Sequence, residues 1–207
     1  MTLNRSVQFF DEQFQRQVAS GDLILNSFEE MALPHLRGRV LDFGCGMGNL
    51  SVAAARRGCS VVALDGSSAA INHLQRLAKL ESLAIEAIQS DLQTYEIAAD
   101  FDAVVCIGLL MFFDCASALR IMNNLKSRVR AGGFAIINVL IEGTTYLEMF
   151  DPAGYCLFSR SELEEQFAGW KVLHSVFHEF NTLDHRLKSF ATLIAQKPHT
   201  PILRIQI

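Results

Sequence analysis

From Arg39 onward, the sequence alternates short apolar runs with segments of helical periodicity, and this alternation constrains the fold more than any other feature. The apolar runs have the length of strands and cover 39–43, 60–65, 84–89, 101–107 and 133–141. The helical segments between them cover 48–57, 68–80 and 115–130. This series predicts an α/β fold, Rossmann-like, with a mostly parallel sheet and helices on both faces. Ligands of such sheets lie at the carboxyl ends of the strands, so we expect a site at that edge.

Two more helices are predicted upstream of this series. Phe10, Phe14 and Val18 recur at helical spacing, and a second helix is expected over 23–33, ended by Pro34. These helices either pack on the edge of the sheet or form a lid over a ligand, and the sequence leaves both interpretations open.

Downstream of the series the periodicity changes. Residues 142–158 contain turn residues and several aromatics, which is typical of a binding loop. A helix with an N-terminal cap signal is predicted over 159–169. Two further strands, 170–178 and 187–195, are joined by a short polar connection, so we expect them to be antiparallel neighbours.

Length and composition indicate one main domain with flanking segments. Of the 207 residues, 50% are hydrophobic and 19% are charged, which is an ordinary globular balance. We expect an N-terminal helical cap over 1–38 and the main domain over 39–197. The C-terminal tail over 198–207 holds two prolines and is expected to be poorly ordered or to pair with another chain.

Charge and hydropathy argue against two classes of partner. The net charge is -4 and no run of lysines or arginines stands out, so no nucleic acid partner is expected. No apolar stretch reaches the roughly 18 residues of a membrane span, and the N-terminus shows no apolar signal region. We therefore expect no membrane partner and a cytoplasmic location, and we predict no particular oligomeric state.

Cysteine and histidine spacing predicts neither a disulfide framework nor a metal site. The five cysteines are an odd number without a CxxC pair, and three of them lie in apolar segments, so reduced buried thiols are expected. His174 and His178 are four residues apart on a predicted strand. At roughly 3.3 Å per residue, this spacing places them about 13 Å apart, too far for one metal ion.

Three glycines follow the first predicted strand, at Gly44, Gly46 and Gly48. The dinucleotide fingerprint GxGxxG would place the third glycine at the position of Asn49. Asp42 would also repel a pyrophosphate on the following helix, whereas it suits the ammonium and sulfonium of S-adenosylmethionine. The single carboxylate of that ligand can use the loop N–H groups. Alternatively, Asp42 only accepts hydrogen bonds from amides of the loop.

Residues at the ends of the next three strands complete a predicted adenosyl site. Asp65 can accept both ribose hydroxyls, a role it would have equally toward NAD. Asp91 either accepts the adenine amino group, with Leu92 against the ring, or serves a turn. The backbone over 106–108 is expected opposite the glycine loop. The predicted cofactor-binding residues are Asp42, Phe43, Gly44, Cys45, Gly46, Gly48, Asp65, Gly66, Ser67, Asp91, Leu92, Cys106, Ile107 and Gly108.

The segment after the fourth predicted strand, "GLLMFFD", lacks a proline. Enzymes that methylate amino groups of DNA bases show Asn/Asp-Pro-Pro-aromatic at this point, and the chain also lacks the Pro-Cys pair of cytosine-5 enzymes. Both absences argue against a base-flipping methylase.

With these residues in place, the chain resembles the class I S-adenosylmethionine-dependent methyltransferases. The matching motifs are "VLDFGCGMG", "VVALD", "SDL", "FDAVVCIGLLMFF" and "LKSRVRAGGFAIINVL". The resemblance covers Val40 to about Lys197. Within this class the chain is similar to the tellurite-resistance (TehB-type) methyltransferases, through to "HRLKSFATLIAQK". That family implies a seven-stranded sheet with an antiparallel last strand, S-adenosylmethionine as cofactor, and methyl transfer to tellurite, selenium compounds or small thiols.

The chain departs from the TehB-type pattern where the acceptor is expected. The family carries a His-Arg pair just after the sixth strand, and here the pair reads His178-Glu179. A second family arginine, before the last strand, corresponds within a one-residue gap to His185 or Arg186. Because a dianionic oxyanion needs positive charge, glutamate in place of arginine is expected to weaken its binding.

Methyl transfer from a sulfonium is an in-line displacement, so the enzyme has to position the acceptor and exclude water. A thiolate or oxyanion arrives deprotonated, whereas a hydroxyl or amine benefits from a base. We expect His178 to close the sixth strand at the carboxyl edge, with His185 and Arg186 in the connection after it. These three are the predicted catalytic or acceptor-binding residues, although each also fits an ordinary polar loop.

The leading hypothesis is therefore S-adenosylmethionine-dependent methyl transfer to a small-molecule acceptor. Two alternatives stay open: a nicotinamide-dependent oxidoreductase, against which Asp42 and Asn49 argue, and a protein that binds S-adenosylmethionine without catalysis, which the replaced arginine leaves open.

Overall fold

The structure is a computed structural model that describes residues 24–152, 154–182 and 185–199. The predicted helix around Phe10, Phe14 and Val18 lies outside these residues, as does the tail from Thr200 onward.

The described residues form one seven-stranded sheet. Its strands are β1 Arg39–Phe43, β2 Ser60–Asp65, β3 Ile85–Gln89, β4 Phe101–Ile107, β5 Val129–Leu140, β6 Lys171–Asn181 and β7 Leu187–Gln196. Their order across the sheet is β3-β2-β1-β4-β5-β7-β6, and β7 runs antiparallel to both of its neighbours, β5 and β6. The predicted Rossmann-like α/β fold with an antiparallel last strand is confirmed.

Helices cover both faces of this sheet. They are α1 Ser27–Ala32, α2 Asn49–Arg56, α3 Ser68–Leu80, α4 Cys115–Ser127 and α5 Glu162–Glu165, with 3-10 turns at Leu33–His35 and Leu110–Phe112. Strand side chains alternate between the faces. Val40 and Ile136 therefore share one buried cluster with α1, α2 and α3, whereas Leu41 and Ile137 share the other with α4 and α5.

Helix α1 begins later than predicted, because a capping box at Asn26 sets its start. The Asn26 side chain accepts hydrogen bonds from the N–H groups of Phe28 (2.9 Å) and Glu29 (3.0 Å), and Glu29 Oε2 accepts from the Asn26 N–H (2.8 Å). Behind it, Ala32 and Leu33 are buried against the sheet. The described part of the predicted cap therefore packs on a face of the sheet, where Phe28 of α1 also contacts the edge strand β6.

Three other element boundaries differ from the prediction. Strand β5 begins at Val129, because Val129 already pairs with Phe101 of β4, and this leaves α4 to end at Ser127. Strand β6 runs through Asn181, since its pairing with β7 continues over polar residues that the sequence assigned to a connection. Helix α5 is a single turn, after which the chain continues in i→i+3 hydrogen bonds such as Phe167 N to Glu164 O (2.9 Å).

The prediction of reduced thiols is wrong for two of the five cysteines. A disulfide joins Cys115, at the start of α4, to Cys156 in the 142–158 loop, with a Cα–Cα distance of 4.7 Å. Cys45, Cys59 and Cys106 are free and buried, as expected. The bonded pair lies 41 residues apart in sequence, so only the return of the loop to α4 brings the two thiols together.

In the part of the chain that the structure describes, no helix has the length and hydrophobicity that crossing a membrane would require. The same residues contain no group of three or more histidine, cysteine or acidic side chains placed to hold a metal ion.

Candidate active site

The glycine loop leaves β1 at the carboxyl edge and leads into α2. The N–H groups of Gly44 and Cys45 both donate to Leu64 O of β2, at 2.8 and 2.9 Å. Gly48 caps α2 with a φ of 77°, and a Cβ there would lie 2.6 Å from the Leu74 side chain. A larger residue at this position would therefore be strained and would also collide with α3.

Asp65 ends β2 beside this loop, where the sequence predicts an adenosine-binding acid. Its Oδ2 accepts the Gly46 N–H and its Oδ1 accepts the Ser67 N–H, both at 2.8 Å. Both oxygens are thus held by backbone N–H groups, which fixes the orientation of the carboxylate at the end of β2. Gly66 and Ser67 follow it directly, and Ser67 caps α3.

Asp42 is buried on β1, under the loop. Ser51 Oγ of α2 donates to its Oδ2 at 2.6 Å. Burial raises the pKa of Asp42 to about 7; the Ser51 hydrogen bond lowers it, and the nearby charges of Glu29 and Asp65 raise it further. The alternative in which Asp42 serves the loop amides is wrong for Gly44 and Cys45, which donate to Leu64, and for Gly46, which donates to Asp65.

The ends of β3 and β4 lie at the same edge. Asp91 is exposed, and its Oδ1 accepts the Gln93 N–H at 3.0 Å. This is the turn role that the sequence left open. Leu92 beside it is buried. Gly108 N donates to Asn138 O of β5 at 3.0 Å. Leu109 next to it packs against Gly44, so the end of β4 faces the glycine loop as expected.

The two cysteines of the predicted site are not activated thiols. Burial, and then the charge of Asp42, raise the pKa of Cys45 and of Cys106 well above the usual range. Cys106 packs in the core under α4, so its side chain points away from the face that carries Asp42, and only its backbone borders the site, as does that of Ile107.

His178 occupies a different position from the predicted one. It lies inside β6 and does not close that strand, and its ring packs edge-on against Phe28 of α1, with 5.5 Å between centroids. Its Nδ1 is buried without a hydrogen-bond partner among residues 24–152, 154–182 and 185–199. Glu179 points to the opposite face of β6, where it pairs with Arg160 at 3.4 Å.

His185 and Arg186 lie in the turn between β6 and β7, in two different environments. His185 is exposed, with a φ of 60°. Arg186 pairs with Glu148 at 2.8 Å and lies over the ring of Tyr146, 4.8 Å from its centroid. Lys188 contacts the same ring at 4.3 Å, so two cations border the 142–158 loop. The described contacts do not join His178 to either residue of the turn.

Sequence reasoning missed three residues of this edge: Glu29, Ser51 and Asn138. Asn138 is fully buried; its Nδ2 donates to Thr192 Oγ1 at 2.9 Å, while its Oδ1 finds no partner within the described ranges. A polar residue inside the apolar run "FAIINVLI" was the available signal. Glu29 and Ser51 gave none, because both sit in ordinary helical patterns.

These residues fit S-adenosylmethionine. Asp65 offers a fixed carboxylate to a ribose, the glycine loop lets a ligand approach its backbone, and Asp42 offers a buried acid to a cation. The phosphates of a second nucleotide would lie near the same buried acid, and their negative charges would repel its carboxylate.

Comparisons with known proteins agree with this geometry. The family model described as "Methyltransferase domain" matches residues 40–133. A Haemophilus influenzae protein named "Probable S-adenosyl-L-methionine-dependent methyltransferase TehB" is 26% identical over 77% of this chain and 57% of its own length. The crystal structure of TehB from that organism superposes with a TM-score of 0.71 at 23% identity, covering 84% of this chain and 62% of the other.

Two further matches are an O-methyltransferase and an N-methyltransferase. The ubiquinone biosynthesis O-methyltransferase of Alkalilimnicola ehrlichii is 35% identical over 56% of this chain and 51% of its own length. The structure of the N-methyltransferase NodS from Bradyrhizobium japonicum in complex with S-adenosylhomocysteine has a TM-score of 0.67 at 17% identity, covering 92% and 99% of the two chains.

The chain carries a class I S-adenosylmethionine-dependent methyltransferase domain, and S-adenosylmethionine is the cofactor of that class. Within the class it is similar to the TehB protein of Haemophilus influenzae, at 26% identity. It spans 57% of the length of the TehB relative that it matches.

Proposed function

We propose that this protein transfers the methyl group of S-adenosylmethionine to a small-molecule acceptor at the carboxyl edge of the sheet. The observation that carries the proposal is the convergence of Asp42 and Asp65 on one glycine loop, with Asp65 bonded to the Gly46 N–H at 2.8 Å. The loop and the two acids match the two ends of the cofactor, an aminoacyl arm and a ribose.

Each element of the edge has a separate task in this mechanism. S-adenosylmethionine supplies an electrophilic methyl group when bound. Asp65 would hold the ribose, Asp42 would hold the cationic arm, and Gly108 would let that arm approach the end of β4. Helix α1 contacts β4 on one face of the sheet, and the 142–158 loop bonds to Met111 after β4, so both are placed to shield a bound acceptor from water. The enzyme's contribution would then be alignment of the acceptor.

For the acceptor we propose a small nucleophile, with a tellurite- or selenite-like oxyanion and a thiol as the first candidates. Lys188, over the Tyr146 ring, supplies positive charge in place of the arginine that the TehB-type pattern would carry, and Arg186 beside it is paired with Glu148. The substituted Glu179 faces away from His178 and is paired with Arg160, so it does not place negative charge beside that ring. His178 is then the group that orients or deprotonates an acceptor.

The test is an acceptor panel read by formation of S-adenosylhomocysteine. The panel contains tellurite, selenite, small thiols and phenols, and it is run on the wild-type protein, on His178→Ala and on a control, His174→Ala, from the same strand. We expect turnover of at least one acceptor, a loss of kcat of tenfold or more in His178→Ala, and little change in cofactor affinity.

Binding of S-adenosylmethionine without product from any acceptor would instead favour a protein that binds the cofactor without catalysis. Binding of NAD with no binding of S-adenosylmethionine would favour the oxidoreductase alternative. An equal loss of kcat and cofactor affinity in His178→Ala would assign His178 a structural role.

A further inference from the structure

Helix α1 brings a carboxylate to the cofactor site that the glycine motif does not include. The chain before α1 is held at the start of α2, where Asn49 Nδ2 donates to Ile24 O at 3.1 Å. Helix α1 then contacts β4, next to β1 in the sheet. Glu29, in the first turn of α1, therefore lies close to the loop and to Asp42.

Within the described residues, only one oxygen of Glu29 has a hydrogen-bond partner. Its Oε2 accepts the Asn26 N–H in the capping box, at 2.8 Å. Its Oε1 accepts no hydrogen bond from any residue that the structure describes. Burial raises the pKa of Glu29 above its usual value, and the charge of Glu29 in turn raises the pKa of Asp42, so the two carboxyls lie near enough to interact.

Among the described residues, Asn138 independently supplies a buried acceptor without a donor on this face of the sheet. Asp42 is paired with Val105 of β4, and Val105 with Ile136 of β5, so Asn138 lies two residues beyond Ile136 on the same face as Asp42. Asn138 is fully buried and its Oδ1 is unpartnered in the described chain. A buried acceptor without a donor is costly, so this oxygen indicates a ligand that brings N–H or polarised C–H groups.

The space between α1 and the strands β1, β4 and β5 thus presents oxygen acceptors and two carboxylates. A ligand that suits this space carries positive charge and hydrogen-bond donors, and it places no hydrogen-bond acceptor against these oxygens. An ammonium group has this property, because it has three donors and no acceptor.

We propose that Glu29 is a further cofactor-binding residue, whose Oε1 pairs with the α-ammonium of S-adenosylmethionine opposite Asp42. This inference rests on the proposed function and adds a contact from outside the glycine motif. It makes α1 part of the cofactor site, so that binding of the aminoacyl arm also holds α1 against the sheet.

The test is calorimetric binding of three adenosyl compounds to Glu29→Gln. Glutamine at this position can still close the capping box, so α1 is expected to remain folded. S-adenosylmethionine and S-adenosylhomocysteine both carry the ammonium, whereas 5′-methylthioadenosine lacks the whole aminoacyl arm. We expect Glu29→Gln to weaken the first two by roughly tenfold and to leave the third unchanged. Glu30→Gln, on an exposed neighbour in the same turn, is the matched control and should bind all three like the wild type.

Unchanged affinity of Glu29→Gln for S-adenosylmethionine would overturn the proposal, and so would an equal loss for 5′-methylthioadenosine, which would mark a structural role. A loss for S-adenosylmethionine alone would overturn the ammonium contact in favour of the sulfonium. If the wild-type protein bound none of the three compounds, the proposed function itself would fail, and that result is separate from any effect of the variant.

Discussion

The ionisation of Asp42 links cofactor binding to pH. This carboxyl is buried under the glycine loop, and its pKa is raised from 3.8 to about 7, first by burial and then by Glu29 and Asp65 against the opposing Ser51 hydrogen bond. Without a cation near it, the protonated form is therefore a substantial part of the population at neutral pH. A cationic ligand selects the ionised form, so binding releases a proton.

We expect the affinity for S-adenosylmethionine to rise by about tenfold between pH 6 and pH 8, because the ionised fraction of a group with a pKa of about 7 rises by that factor. Asp42→Asn should bind the cofactor weakly and without this pH dependence. Calorimetry at several pH values measures both, and Glu81→Gln, far from the loop in the Arg56 ion pair, is the control. A wild-type affinity that does not change with pH would contradict the assignment.

The raised pKa of Asp42 affects the stability of the fold in the opposite direction, because stability falls as pH rises. Because the folded pKa of Asp42 lies above its value in an unfolded chain, the protonated carboxyl is favoured on folding and this contribution is lost as pH rises through about 4 to 7. Asp42→Asn should therefore raise the Tm of the cofactor-free protein at pH 8 while it weakens cofactor binding. Thermal unfolding of the two proteins at pH 5 and pH 8 measures the difference, which should be larger at pH 8.

At the scale of elements, the prediction was most accurate for the strands and helices whose bounds are set by burial in the interior of the protein. The bounds of β1, β2, β4 and α3 agree with the prediction, because each is a buried run or an amphipathic helix with a clear cap such as Ser67. The predicted ends of β6 and α1 were wrong. Pairing of β6 with β7 and the capping box at Asn26 depend on partner residues that sequence periodicity does not show.

The candidate site divides in the same way. The glycine loop and Asp65 were predictable, because turn chemistry and the end of a strand leave local marks in the sequence. Asn138 is marked in the sequence as a polar residue in an apolar run, but only the strand register assigns it to the Asp42 face, and Glu29 depends on the packing of α1 beside the loop.

The disulfide is the feature that most constrains the position of the 142–158 loop. It ties Cys156 to the first residue of α4, while Cys156 N donates to Met111 O at 3.1 Å. Protein that is denatured without reductant should therefore expose three alkylatable thiols, those of Cys45, Cys59 and Cys106, and five after reduction. Intact mass after iodoacetamide treatment gives the count. Five thiols before reduction would contradict the bond.

At the scale of the whole molecule, the strand order places the site where the sheet changes direction. From β1, the chain proceeds to β2 and β3 on one side and to β4 and β5 on the other, which opens a crevice above the carboxyl ends of β1 and β4. The glycine loop leaves β1 at this crevice, Gly108 follows β4 beside it, and α1 approaches it from one face. The fold thus explains why residues from these three separate segments meet there.

A crystal structure of the protein with S-adenosylhomocysteine tests the central claim most directly. We predict the ribose hydroxyls within roughly 3 Å of the Asp65 carboxylate, and the aminoacyl arm along the glycine loop with its ammonium at Asp42. An adenosyl group bound elsewhere, or a crevice between β1 and β4 filled by side chains under saturating ligand, would contradict it.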